Sequence, residues 1–151
     1  MTHASPDSRL AQLLTYAGTL PLIACAVLAW APSLAGGADV ANAPTIALAY
    51  AAVIASFIAG IHWAASLFFA ERCGQLPMIA SNVAALFAWC TLLLGDARLG
   101  CLLLVPCFAS LLAIDHGLYA KAVLPPWFFR LRRNATLIVA SALLLAAFAP
   151  R

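Results

Sequence analysis

Residues 43–70 read APTIALAYAAVIASFIAGIHWAASLFFA, 28 residues with no formal charge and a single histidine. At about 1.5 Å of rise per residue the stretch makes a helix of roughly 40 Å, more than the hydrocarbon core of about 30 Å requires. A segment this long and this apolar predicts a membrane span. The rest of the chain agrees, with 66% hydrophobic residues, 9% charged residues and a mean hydropathy of +1.02, far from the roughly one-quarter charged composition of a soluble domain.

Working outward, apolar stretches predict five helices in an all-α membrane bundle: about 10–31, 43–70, 76–94, 99–118 and 135–149. The last is short and can lengthen into Arg133 and Asn134, with the arginines reaching toward head groups. Turn residues separate the spans: Pro32 with Gly36, Gly37 and Asp39, then Gly74 and Pro77, Gly95 and Asp96, and Pro125 with Pro126. The chain reads as one integral membrane domain over 1–151, with no internal repeat of the kind inverted-repeat transporters show.

Basic residues orient the bundle. Arg9, Arg72, Lys121, Arg130, Arg132 and Arg133 fall on one side and only Arg98 and Arg151 on the other, which places the N-terminus in the cytoplasm and the C-terminus in the periplasm of a bacterial inner membrane. The net charge of +3 is therefore a juxtamembrane collar rather than a nucleic-acid surface. A rival reading takes Arg9 and the following apolar run as a signal, ending at the lipoprotein-like Leu22-Ile23-Ala24-Cys25 or at Ser33-Leu34-Ala35. Apolar residues continue past Cys25 to Ala31, as a retained anchor would.

Five cysteines, Cys25, Cys73, Cys90, Cys101 and Cys107, show no CxxC spacing and no cluster with histidine. They read as small packing residues, with Cys90 and Cys101, flanking the Gly95–Asp96 turn, as the one pair that can approach. Pro21 and Pro106 fall inside the first and fourth spans, where each removes a backbone hydrogen bond and kinks the helix.

Ionisable groups inside a membrane are costly enough to be candidate functional residues. Depth estimates at helical rise gather Tyr16, His62, Ser66, Ser81, Asn82 and Asp115 in the cytoplasmic half of the bundle. His62 reads either as a neutral imidazole bonded to Asn82, Ser66 or a carbonyl, or as a proton relay or a haem or quinone contact. Asp115 and His116 also read as an interfacial pair in head-group water. Ser56, Gly60 and Ala64 form a small-residue stripe suited to close helix packing, and Ala55, Ala59, His62 and Ser66 form a second small face nearly opposite. In the segment WFFRLRRN, Trp127, Arg130, Arg132 and Arg133 read as an interfacial anchor. No metalloprotease, phosphate-loop or nucleophile motif appears, no metal site is expected, and no cofactor is assigned beyond the haem or quinone alternative.

Tyr50 to Trp63, YAAVIASFIAGIHW, resembles the Y…I-x-S-F-x-x-G-x-x-W signature of a bacterial membrane domain family of unknown function that includes transmembrane protein 69-like proteins. Leu124 to Arg132, LPPWFFRLR, continuing through Asn134-Ala135-Thr136, is similar to that family's L-P-x-W-Y-x-x-L-R…L-T ending. Phe128 replaces the expected Tyr, and Ala64 follows Trp63 where Gly is expected. The resemblance implies a five-helix membrane protein with no assigned activity. It directs interest to Ser56, Phe57, Gly60, His62, Trp63, Trp127 and Arg132.

The leading functional expectation is a non-enzymatic accessory or assembly protein of a larger membrane complex, or one that self-associates. The alternative is a small proton-linked carrier using the inner polar cluster. A redox protein in which His62 and His116 contact haem or quinone stands third.

Overall fold

The computed structural model describes residues 6–35 and 42–150. Gly36, Gly37, Asp39 and Arg151, used above as turn or charge markers, lie outside them. The described residues form helices α1 (Pro6–Ala17), α2 (Leu20–Trp30), α3 (Ala43–Phe68), α4 (Ala70–Cys73), α5 (Leu76–Leu92), α6 (Ala97–Ala120) and α7 (Pro126–Ala147), with a 3₁₀ turn at Pro32–Ala35 and no strand. The all-helical expectation is met.

Three stretches among the described residues are long and apolar enough to cross a membrane: Ser8–Trp30, Ala43–Phe68 and Ala97–Ala120. Leu76–Leu92 is apolar but shorter. The fifth expected stretch, 135–149, is the end of a longer helix, because α7 begins at Pro126 and carries WFFRLRR in its first turns. Proline suits that start: its missing N–H would be unbonded there in any case.

The first stretch is two helices, not one kinked helix. Pro21 stands in the first turn of α2, where its lack of an N–H costs nothing, and the chain breaks at Gly18–Thr19. The break satisfies its own polar groups. Thr19 Oγ1 donates to the Tyr16 carbonyl at 2.7 Å, and the freed Gly18 carbonyl accepts the Tyr50 hydroxyl of α3 at 2.9 Å. Pro106 does lie inside α6.

Helix α3 is the axis of the bundle, packing against α2, α5, α6 and α7. Its inner face is built of Ala47, Ala51, Ala55 and Ala59, against Leu104, Phe108 and Leu111 of α6 and Val139 and Leu143 of α7. Small side chains let backbones approach closely, and dispersion contacts then hold the helices where lipid removes the hydrophobic difference. Gly100 marks the tightest approach: a Cβ there would fall 2.6 Å from Leu48 Cδ2 and 3.2 Å from the Thr91 carbonyl.

Helix ends are capped locally. Asp96 Oδ1 accepts from the Arg98 and Leu99 amides at the start of α6. At its other end Ala122 takes a left-handed φ of 56°, and the Val123 and Ala122 amides donate to the Leu118 and Tyr119 carbonyls, the two bonds of a Schellman closure. That turn sets where α7 begins.

All five cysteines are free. Cys90 is exposed, and Cys101 is buried with its thiol against the Pro44 carbonyl, so the two do not pair. The outer surface is apolar, with Leu13, Phe57, Phe68 and Leu76 strongly exposed. Such patches are liabilities in water.

Candidate functional site

Three charged or ionisable side chains from three helices meet inside the bundle. His62 of α3 and Asp115 of α6 are both 0% exposed, and Arg132 of α7 is 5% exposed. His62 Nε2 lies 2.9 Å from Asp115 Oδ1, and Arg132 Nε donates to Asp115 Oδ2 at 3.0 Å.

The geometry assigns the protons. A carboxylate facing a guanidinium accepts at both oxygens, so His62 Nε2 carries a hydrogen and donates it. His62 Nδ1 has no partner among the described residues, and a second hydrogen there would be a buried donor without an acceptor; the neutral imidazole is the less costly form. Asp115 and Arg132 together are then net neutral.

The Asp–Arg pair is bonded through one N–H, although the guanidinium edge offers a two-bond fork. His62 holds the carboxylate's other oxygen. The consequence is a donor left over: Arg132 Nη2 is buried and unbonded, as is Thr136 Oγ1 one helical turn along α7. Both residues line a cavity of about 130 Å³ that lies beside the Gly18–Thr19 break. Its other walls are mostly apolar, among them Ile58 and Ile61 of α3, Phe108 of α6 and Val139 of α7.

Of the residues expected to gather here, the structure brings together His62 and Asp115. Ser66 is buried one turn beyond His62, with its Oγ unbonded. Ser81 is buried but donates to the Met78 carbonyl. Tyr16 is exposed, and Asn82 is exposed and bonded to the Met78 carbonyl of its own helix, so neither joins the array. Asp115 is not an interfacial group in head-group water; it is the centre of the ion array. Its neighbour His116 is exposed and packs its ring against Phe129 and Tyr119.

The anchor segment also divides. Arg130 and Arg133 are exposed and Trp127 half-buried, whereas Arg132 turns inward. Extending α7 upstream explains this, because Arg132, Ala135, Thr136, Val139 and Leu143 fall on one helical stripe, all buried. That stripe is the signal by which Arg132 and the unanticipated Thr136 can be found. The stripe of Ser56, Gly60 and Ala64 is exposed, with open space around Gly60, so it packs against none of the described residues of other helices; the opposite face of Ala55, Ala59 and His62 is the buried one. Among the described residues no three His, Cys, Asp or Glu side chains gather as a metal site would require.

Compared with known proteins, residues 8–148 match the model of a family described as "Protein of unknown function (DUF3429)", in keeping with the resemblance seen in the two sequence segments. No curated protein and no solved structure matches the chain.

Proposed function

The chain belongs to the DUF3429 family, and from that premise we propose a five-span, multi-pass protein of the bacterial inner membrane that carries a small anion together with a proton. The observation that carries this reading is the buried His62–Asp115–Arg132 array with an unbonded guanidinium N–H beside a cavity. In its resting form the array is net neutral. An arriving anion makes it negative, and a proton on His62 restores neutrality, so anion and proton bind as a pair. Of the helices packed on α3, α6 supplies Asp115 and α7 supplies Arg132, α2 and α5 contain no charged residue, and α4 carries Glu71 and Arg72, both exposed.

Five spans with the N-terminus inside are supported by the basic asymmetry and by the length of α7, which runs to Ala147. A reporter active only in the periplasm, fused after Arg151, should be active; a silent, well-expressed fusion overturns the orientation. The carrier reading is tested in proteoliposomes holding a lumenal pH dye, with inward gradients of lactate, octanoate, phosphate or chloride applied one at a time. At least one should drive lumenal acidification above that of protein-free vesicles. His62→Gln, which keeps a donor for Asp115 but does not titrate, should reduce it at least tenfold, and Arg133→Gln should not. Parent vesicles indistinguishable from protein-free ones overturn the reading.

A second reading, a non-enzymatic accessory protein, is favoured by the outward stripe of Ser56, Gly60 and Ala64, a surface that another helix can approach closely. Size analysis in mild detergent separates the two: a monomer with no enriched partner removes the accessory role.

A further inference from the structure

We infer that the cavity beside Arg132 binds an amphipathic aliphatic carboxylic acid as its carboxylate, with the head group on Arg132 Nη2 and Thr136 Oγ1 and the chain leaving toward the bilayer between Leu14 and Phe57. This rests on the proton-linked reading above and names its ligand class.

The head group follows from the donors. Arg132 and Thr136 are each 5% exposed, stand four residues apart on α7, and line the cavity with one unbonded polar atom apiece. Two donors side by side match the two oxygens of a carboxylate, and a guanidinium makes stronger, charge-assisted bonds to it than to a neutral carbonyl. An amine or other cation would have to sit beside the fixed positive charge of Arg132. The break adds Thr15 and Thr19 to the lining, and Thr19 already donates its hydroxyl hydrogen to the Tyr16 carbonyl.

The body follows from the walls. Ile58, Ile61, Phe108 and Val139 are apolar, and the cavity's volume of about 130 Å³ is near the 150 Å³ of an engineered apolar cavity that holds benzene. It therefore takes the head group and roughly the first two or three carbons. The rim residues Leu14 and Phe57 are 64% and 74% exposed, so a longer chain passes into lipid without losing apolar surroundings. The α1–α2 break borders this side, with Thr15, Gly18 and Thr19 among the lining residues.

The proton balance is closed. The acid ionises in water before it enters, releasing its proton to solvent, and binds as the carboxylate on Arg132 and Thr136. No other reactant is needed, and Asp115 keeps its bonds to both neighbours.

The test uses the purified full chain in phosphatidylcholine nanodiscs, titrated with octanoate labelled with ¹³C at the carboxyl, and empty nanodiscs as background. The expected result is a saturable bound signal at the chemical shift of a carboxylate, with octanamide competing at least about tenfold more weakly. Thr136→Val, which keeps the shape and removes the hydroxyl, should weaken binding by about tenfold. Ala135→Leu, which puts a larger apolar side chain on the cavity wall, should abolish it; helix content by circular dichroism checks that both variants fold. No saturable signal above empty nanodiscs, equal competition by octanamide, or unchanged binding in a folded Ala135→Leu each overturns the inference. Octanoate binding with silent proteoliposomes overturns the carrier reading alone. Proton-linked flux of phosphate or chloride without octanoate binding overturns the ligand class alone.

Discussion

Asp115→Ala is expected to lower the unfolding free energy by about 3–5 kcal/mol, the usual cost of removing one partner of a buried ion pair. The substitution leaves the Arg132 guanidinium, 5% exposed, without a counter-ion and strips His62 Nε2 of its acceptor. Two further variants identify the cause. Asp115→Leu combined with Arg132→Met removes both charges and should recover to within about 1–2 kcal/mol of the parent, since an apolar replacement of a buried pair is often close to neutral. His62→Ala should cost less than Asp115→Ala, because the released Asp115 Oδ1 can turn to Arg132 Nη2 and complete the two-bond fork. Reversible unfolding in mixed micelles, monitored by circular dichroism, measures all three. An Asp115→Ala loss below about 1 kcal/mol would show that the array does not hold α3, α6 and α7 together.

Phe108→Ala is expected to be the most damaging change outside the ion array, at about 3 kcal/mol. Phe108 is 1% exposed, belongs to the central core and also forms a wall of the cavity. In water such a truncation costs about 3–5 kcal/mol, combining lost transfer energy with the cavity left behind. A chain that stays in lipid when its tertiary structure is lost gains little from transfer, so the dispersion and cavity part dominates and the lower end of the range applies. The new space adjoins the existing 130 Å³ cavity, which makes collapse around it harder than at a sealed site. Phe108→Leu should cost about half as much in the same measurement.

Much of this architecture was legible in one dimension. Helix α3 was readable almost to the residue, because length and hydropathy are sums over neighbouring positions and a 28-residue uncharged stretch has few other ways to satisfy its backbone. Turn residues located the boundaries of α5 and α6 for the same local reason. Equal depth brought His62 and Asp115 close, since rise along a helix needs no knowledge of a partner.

Direction around a helix is another matter. Tyr16 and Asn82 share the expected depth but face outward, and rise cannot reveal that. An arginine beside an aromatic cluster can reach head groups or turn inward to a carboxylate, and the choice for Arg132 depends on Asp115, 17 residues earlier on another helix. Likewise the break at Gly18–Thr19 is supported by Tyr50, 32 residues away. Sequence by itself determined an all-helical chain, with helices apolar enough for a membrane, and its family, because these rest on local composition and ordered motifs. Tertiary structure alone decided which faces turn inward, that three distant ionisable groups share one site, and that a guanidinium N–H is left beside a cavity, because each is a pairing between helices whose energy exists only once they pack.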